Sequence, residues 1–186
     1  MLYLSKGLIT KPCKKEQLVV TNRGTDYSLK NSAAVLWLGA RYGADKTSDK
    51  SQLGILENLY EKGLVEVNSE ENEVGLLRIL ENCVICKSKY MSCLPLNKQE
   101  GVILKWISKA GGKLTASELI LLTEKNIKPV ATLLGKHNWH KLINTIYSTE
   151  TIFDGILESK MEKSSALKPT LDAILGLLKK KRILLV

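Results

Sequence analysis

Four cysteines come nearest to a metal-binding pattern in this sequence. Cys83 and Cys86 form a C-x2-C pair, Cys93 follows after six residues, and Cys13 lies far upstream. Four thiolates can hold zinc, but strong zinc motifs contain two such pairs and this chain has one. Val84 and Ile85, between the paired cysteines, favour small buried thiols beside a loop. We therefore predict no structural metal, with zinc binding and a redox pair as the less favoured alternatives.

The two histidines lie three residues apart in the segment KHNWHKL (136–142), on one face of a predicted helix. No carboxylate or cysteine stands at helical spacing beside them to complete a metal or acid–base site. The same segment carries ammonium and amide groups, which contact phosphates and base edges. If 115–125 and 136–147 form a helix-turn-helix, the second is the recognition helix. The alternative is a hydrated helix start next to Trp139. The candidate nucleic-acid-binding residues here are Lys136, His137, Asn138, His140 and Lys141.

Motifs that indicate catalysis are missing from the chain. There is no G-x-S-x-G, no glycine-rich phosphate loop and no H-E-x-x-H. We predict that the protein is not an enzyme and needs no cofactor, with a small enzyme of scattered catalytic residues as an alternative.

Positive charge is concentrated at the two ends of the sequence. The net charge is +9, and residues 1–30 carry six Lys or Arg against two Asp or Glu. Residues 163–186 carry six against one. A basic surface favours polyanionic partners. Four consecutive cations follow the last predicted helix, where the helix dipole also stabilises them. We add these four to the candidate nucleic-acid-binding set: Lys179, Lys180, Lys181 and Arg182.

Hydrophobic periodicity predicts a mainly α protein with short β-strands. Apolar residues make up 44% of the 186 residues and charged residues 25%, as in ordinary globular proteins. We predict an N-terminal hairpin plus a helical unit in 1–82, a linker in 83–97 and a C-terminal helical unit in 98–186. Asn97 with Glu100, and Thr115 with Glu118, have the spacing of capping boxes that open helices.

Two segments share one plan of amphipathic helix, charged end and short apolar strand: ILENLYEKGLVEV (55–67) and ILGLLKKKRILLV (174–186). This plan resembles the winged-helix superfamily, where the last helix enters the wing. Residues 32–80 and 98–147 each resemble such a unit. The resemblance implies a DNA-binding protein, a transcription regulator or a related module, in which the second unit contacts duplex DNA. Glu57 and Glu61 would face the phosphates in the first unit, so we expect that unit to pack or dimerise.

Location and partners follow from what the sequence lacks. The N-terminus has no signal-peptide pattern, and no apolar run approaches 18 residues. We therefore expect a cytoplasmic protein with reduced cysteines and no membrane partner. The competing hypothesis is a helical adaptor or inhibitor that binds another protein and no nucleic acid. A protein partner and a homodimer both stay open.

Overall fold

The computed structural model describes residues 1–14, 17–89, 93–110, 114–130, 133, 139–147 and 155–186. About half of the chain is helical and 19% is strand, so the predicted mainly α class is only partly matched. The described helices are α1 (Asn31–Gly39), α2 (Lys50–Glu61), α3 (Glu73–Glu81), α4 (Lys98–Ala110), α5 (Ala116–Glu124), α6 (Trp139–Ile146), α7 (Ile156–Met161) and α8 (Leu167–Lys179). The described strands are β1 (Leu2–Ser5), β2 (Leu8–Lys14), β3 (Gln17–Asn22), β4 (Thr25–Lys30), β5 (Asp45–Lys46), β6 (Val65–Asn68), β7 (Ile85–Lys87) and β8 (Ile183–Leu185). None of the described helices combines the length and apolar character needed to cross a membrane.

The predicted N-terminal hairpin is confirmed, and a further strand extends it. Strands β3 and β4 pair antiparallel around Arg23 and Gly24, whose φ angles are +49° and +81°. Two central residues with positive φ match the right-handed twist of a tight hairpin. Strand β2 pairs with the other side of β3, so the order is β2–β3–β4. A second sheet has the order β5–β1–β6, with β1 in its centre.

Local capping signals place the starts of the central helices. The Asn97 side chain accepts from Glu100 N at 2.8 Å, and Glu100 Oε2 accepts from Asn97 N at 2.8 Å. Thr115 and Glu118 form the second reciprocal pair. Both predicted capping boxes are thereby confirmed. The segment VGLLRIL, ambiguous in the sequence, is helical, and Asn72 caps it through a bond from Gly75 N.

The hydrophobic core consists of two clusters. The smaller one surrounds Trp37 and joins α1, α2, β1, β3, β4 and β6. The larger one surrounds Trp106 and joins helices α3 to α8 with β7 and β8. Helix α3 contacts α5 and α8, so the N-terminal half contributes a helix to the larger cluster.

The segment 83–97, predicted as a linker, contains strand β7. Ile85 is 1% exposed and pairs with Leu185, so β7 and β8 form a two-stranded sheet. This pairing spans about a hundred residues of sequence, which no local pattern indicates. Strand β7, in the segment predicted as a linker, therefore pairs with the C-terminal strand β8.

Candidate nucleic-acid interface

Of the predicted recognition helix, 136–147, the described part begins at Trp139. Lys136, His137 and Asn138 lie outside the described residues. His140 and Lys141 lie in the first turn of α6 and are exposed. Helix α6 packs against α5, with Leu142 and Ile146 buried in the larger cluster. Ile143, between them, is 40% exposed. Leu142 and Ile146, four residues apart, are the residues through which this eight-residue helix joins the larger cluster.

The C-terminal cations have separate neighbours. Lys179 is exposed. Lys180 Nζ lies 2.5 Å from Glu100 Oε2 of α4, and that carboxylate is buried. Lys181 Nζ lies 4.9 Å from the ring centroid of Tyr42. Arg182 Nη2 lies 3.5 Å from the carbonyl oxygen of Leu94. At least Lys180 therefore has a structural task, since it balances a buried charge.

A groove beside α4 begins at the end of α5. Asn126 has a φ of +50°, and its N–H bonds to Thr123 O at 2.9 Å. Ile127 N bonds to Leu122 O at 2.9 Å. These two bonds are the Schellman termination, in which one left-handed residue ends the helix and turns the chain back. The next residues, Lys128 to Val130, are thereby placed opposite α4.

We call the resulting feature the lysine groove; its volume is about 620 Å³. Its apolar lining comes from both sides: Val102 of α4, Leu122 of α5, and Ile127 and Val130 of the segment after α5. Its cations are Lys98 and Lys105 of α4, with Lys128 opposite. Gln99 Nε2 is buried there and has no hydrogen-bond partner among the described residues. The groove thus combines three ammonium groups, one unused amide donor and apolar side chains.

The charge of the lysine groove is uncompensated within the part of the chain that the structure describes. Its described lining includes no Asp or Glu. None of its three lysines forms an ion pair with a described carboxylate. Nearby carboxylates have other partners: Glu100 with Lys180, Glu118 with Tyr147, Glu124 with Ser164 and Glu162 with Arg78. The groove therefore carries positive potential that an anion would neutralise.

The cysteines occupy different environments. The buried Cys83 thiol donates to Ile79 O at 3.2 Å, and burial raises its pKa to about 12. A thiol that stays protonated at neutral pH is a poor metal ligand. Cys86 is half-buried and Cys93 is exposed, while the side chain of Cys13 lies outside the described residues. Over the described ranges, no three His, Cys, Asp or Glu side chains group so that they could hold a metal ion.

The charge pattern of the sequence does not indicate the lysine groove, because residues 98–162 are nearly balanced, with nine cations against seven acids. Folding separates these charges, since Glu100, Glu118, Glu124 and Glu162 bond elsewhere and the three groove lysines form no ion pair with a described acid. The one available signal was the seven-residue spacing of Lys98 and Lys105, which places both on one face of α4. Lys128 lies in the segment after α5, and no sequence pattern indicated that it would line a groove with α4.

Comparison of the chain with protein-family models, with curated proteins and with solved structures finds no match.

Proposed function

We propose that the protein binds nucleic acid, with duplex DNA as the expected form, through the lysine groove. The observation that carries the proposal is the set Lys98, Lys105 and Lys128, three cations around one groove without a described acidic partner. Lysines that neutralise phosphates release condensed counterions, which supplies most of the sequence-independent affinity for DNA.

The winged-helix resemblance supports the same proposal. Helices α4, α5 and α6 share the larger core cluster, and α8 leads directly into strand β8. A transcription regulator or a related module is the class of DNA-binding protein that this resemblance implies. The partner of β8 is β7, which precedes α4, so the wing-like pair joins the two ends of the C-terminal half.

The residues expected from the sequence take secondary places in this proposal. His140, Lys141 and Lys179 are exposed and suit contacts to flanking phosphates. Lys180 holds Glu100, so we expect its replacement to affect folding before it affects DNA binding.

A salt titration of duplex DNA binding tests the proposal. We expect Lys98→Gln, Lys105→Gln and Lys128→Gln, combined in one variant, to lower the log–log salt slope by about two to three units, because each lost phosphate contact removes roughly 0.9. The matched control combines Lys30→Gln, Lys50→Gln and Lys62→Gln, three exposed lysines of the N-terminal half, and removes the same charge. Circular dichroism checks that both variants are folded.

Equal slopes in the two triple variants would show that net charge, and not the lysine groove, drives binding. Absence of DNA binding at low salt would favour the alternative of an adaptor or inhibitor that binds another protein. One feature already supports that alternative, namely the apolar lining of the groove, which could accept an amphipathic helix.

A further inference from the structure

A second cleft lies on another part of the molecule, between strands β2 and β8. Gly7 N donates to Leu185 O at 2.9 Å and joins the start of β2 to the end of β8. Beyond this bond the two strands border a cleft of about 560 Å³, whose walls include Leu8, Ile9 and Ile183. We call it the strand cleft. It shares no lining residue with the lysine groove.

Both strands present a sheet edge to the strand cleft. Strand β2 is the outer strand of the sheet β2–β3–β4, and β8 pairs with β7 on one side. Val84 and Val186 exchange backbone bonds of 2.9 and 3.1 Å, and Ser88 N bonds to Arg182 O at 2.9 Å. Because bonding alternates along an antiparallel pair, the backbone of Ile183 points away from β7.

The first residues of the β2 edge are open to strand pairing, whereas Lys11, Pro12 and two register shifts disfavour it further along the strand. Leu8 and Ile9 are 42% and 41% exposed at its start. Exposed apolar side chains beside an open edge favour pairing with another chain, which natural proteins ordinarily prevent with charges or a covering element. The edge therefore has the character of a binding site for an extended segment.

Two cations of the cleft, Arg41 and Lys181, indicate that the bound segment is acidic. Arg41 is 5% exposed, its guanidinium lies 5.2 Å from the Trp37 ring, and Nη1 lies 3.5 Å from Leu185 O. Lys181 stands over Tyr42 on the same cleft. Of the residues described along its walls, none is a carboxylate, and neither cation has an ion pair with a described acid. Burial lowers the pKa of Arg41, as expected for a cation removed from water.

We propose that the strand cleft binds an extended acidic peptide segment of a partner protein by strand addition. The open edges supply backbone hydrogen bonds, Leu8 and Ile9 contact apolar side chains, and Arg41 and Lys181 pair with carboxylates. The strand edges favour a peptide over a nucleic acid, because a phosphodiester backbone has no N–H donors to pair with them. This function is separate from DNA binding and uses none of the three groove lysines.

Fluorescence anisotropy with the full chain and a labelled, capped peptide of alternating Glu and Val tests the proposal. The first control peptide has N-methyl groups on alternate backbone nitrogens, which keeps the charge and removes strand pairing. The second replaces Glu with Lys. We expect the unmodified Glu–Val peptide to bind and both control peptides not to bind. Binding should slow amide hydrogen exchange at Leu8 to Thr10 and at Ile183.

A pair of charge reversals locates the site. Lys181→Glu should weaken peptide binding roughly tenfold, because it replaces an attraction in the cleft by a repulsion. Lys179→Glu changes the net charge equally, and Lys179 is exposed but does not line the cleft. We expect an effect within about twofold for that control. Neither variant changes the lysine groove, so the two proposals fail separately.

Five results would overturn the proposal. No binding of the Glu–Val peptide at millimolar concentration removes the site, and equal binding of the N-methyl peptide removes strand addition. Equal losses in Lys181→Glu and Lys179→Glu indicate general charge attraction. A dimer in light scattering whose β2 amides are already protected makes a second copy the occupant. Displacement of the peptide by a short single-stranded DNA would assign the cleft to nucleic acid instead.

Discussion

Helix α2 with β6 and helix α8 with β8 are two versions of one local structure. Two residues after each helix ends, the chain has a residue with positive φ, Gly63 at +66° and Lys181 at +56°, and a strand begins two residues later. Each end has the two Schellman hydrogen bonds at 2.8 Å, from Gly63 N to Tyr60 O and Leu64 N to Leu59 O, and from Lys181 N to Leu178 O and Arg182 N to Leu177 O. The same helix termination thus occurs with glycine at the left-handed position of one helix and lysine at that of the other.

We call these two helix–strand pairs, α2 with β6 and α8 with β8, the first and the second unit. They differ in the partners of their charged residues. In the first, the cap residue Lys62 bonds at the surface to Asn58, four residues earlier, at 2.6 Å. In the second, the cap residue Lys180 pairs with Glu100 of α4, and Gly176 stands four residues earlier. The first unit has its buried ion pair in the strand, where Glu66 lies 2.5 Å from Lys6 Nζ. The backbone plan is therefore local, whereas the ion pairs that fix each unit in the fold come from distant residues.

The largest expected effect is on the buried ion pair of the first unit, between Lys6 and Glu66. Lys6→Met should lower the free energy of unfolding by about 3–5 kcal/mol, because Glu66 loses the partner that balances its buried charge. Urea denaturation measures the loss. The double variant Lys6→Met with Glu66→Leu should recover most of it, since no unpaired charge remains. A single-variant loss below about 1 kcal/mol would show that water reaches Glu66.

The cap pair of the second unit should contribute less. Lys180→Met leaves Glu100 without its cation, but the Lys180 side chain is 24% exposed, so water can partly replace it. We expect a loss of about 2–3 kcal/mol in the same measurement. Lys62→Met, at the equivalent cap of the first unit, should change stability by no more than about 0.5 kcal/mol. Similar losses for the two variants would contradict the difference drawn between the units.

Local signals in the sequence predicted much of this framework, and the reasons are physical. The capping boxes at Asn97 and Thr115 are signals whose hydrogen bonds lie within one helical turn. The pairing of β7 with β8 and the ion pair of Glu100 with Lys180 join residues 80 or more positions apart, and any of several cations could have served. The lysine groove escaped for the same reason, because its third cation reaches it through a turn at Asn126.

Gly176 tests how the second unit accommodates its partner. Replacing a glycine inside a helix by alanine ordinarily stabilises it by about 1 kcal/mol. A Cβ atom at Gly176 would lie close to Glu100 Oε1, whose carboxylate is fixed by Lys180 and by the backbone of Asn97. We therefore expect Gly176→Ala to destabilise by about 1–2 kcal/mol, since the buried pair must shift. Gly54→Ala in α2, where nothing lies within 4 Å, is the control and should stabilise.

Gly63→Ala tests the left-handed residue of the first unit. An alanine with positive φ places its Cβ near the following carbonyl, which costs about 1 kcal/mol. Space is not the obstacle, because the nearest atom to the added Cβ would be Asn22 Nδ2 at 3.4 Å. Thermal unfolding should show a lower Tm, and an unchanged Tm would mean that the chain ends α2 in another conformation.

The smallest effect, and the one opposite in sign, is expected at Lys181. Its φ of +56° is unfavourable for a lysine, so Lys181→Gly removes a cost of about 1 kcal/mol. The variant also loses the contact of Lys181 with Tyr42, which contributes about 0.5 kcal/mol at a partly exposed site. The net expectation is a gain of about 0.5 kcal/mol in urea denaturation, together with weaker binding of the acidic peptide in the strand cleft. Lys179, two residues earlier, is the last residue of α8, so Lys179→Gly should instead lose about 1 kcal/mol. If Lys181→Gly is as destabilising as Lys179→Gly, the contact with Tyr42 outweighs the backbone cost, and lysine stands at this position to hold the two halves of the chain together.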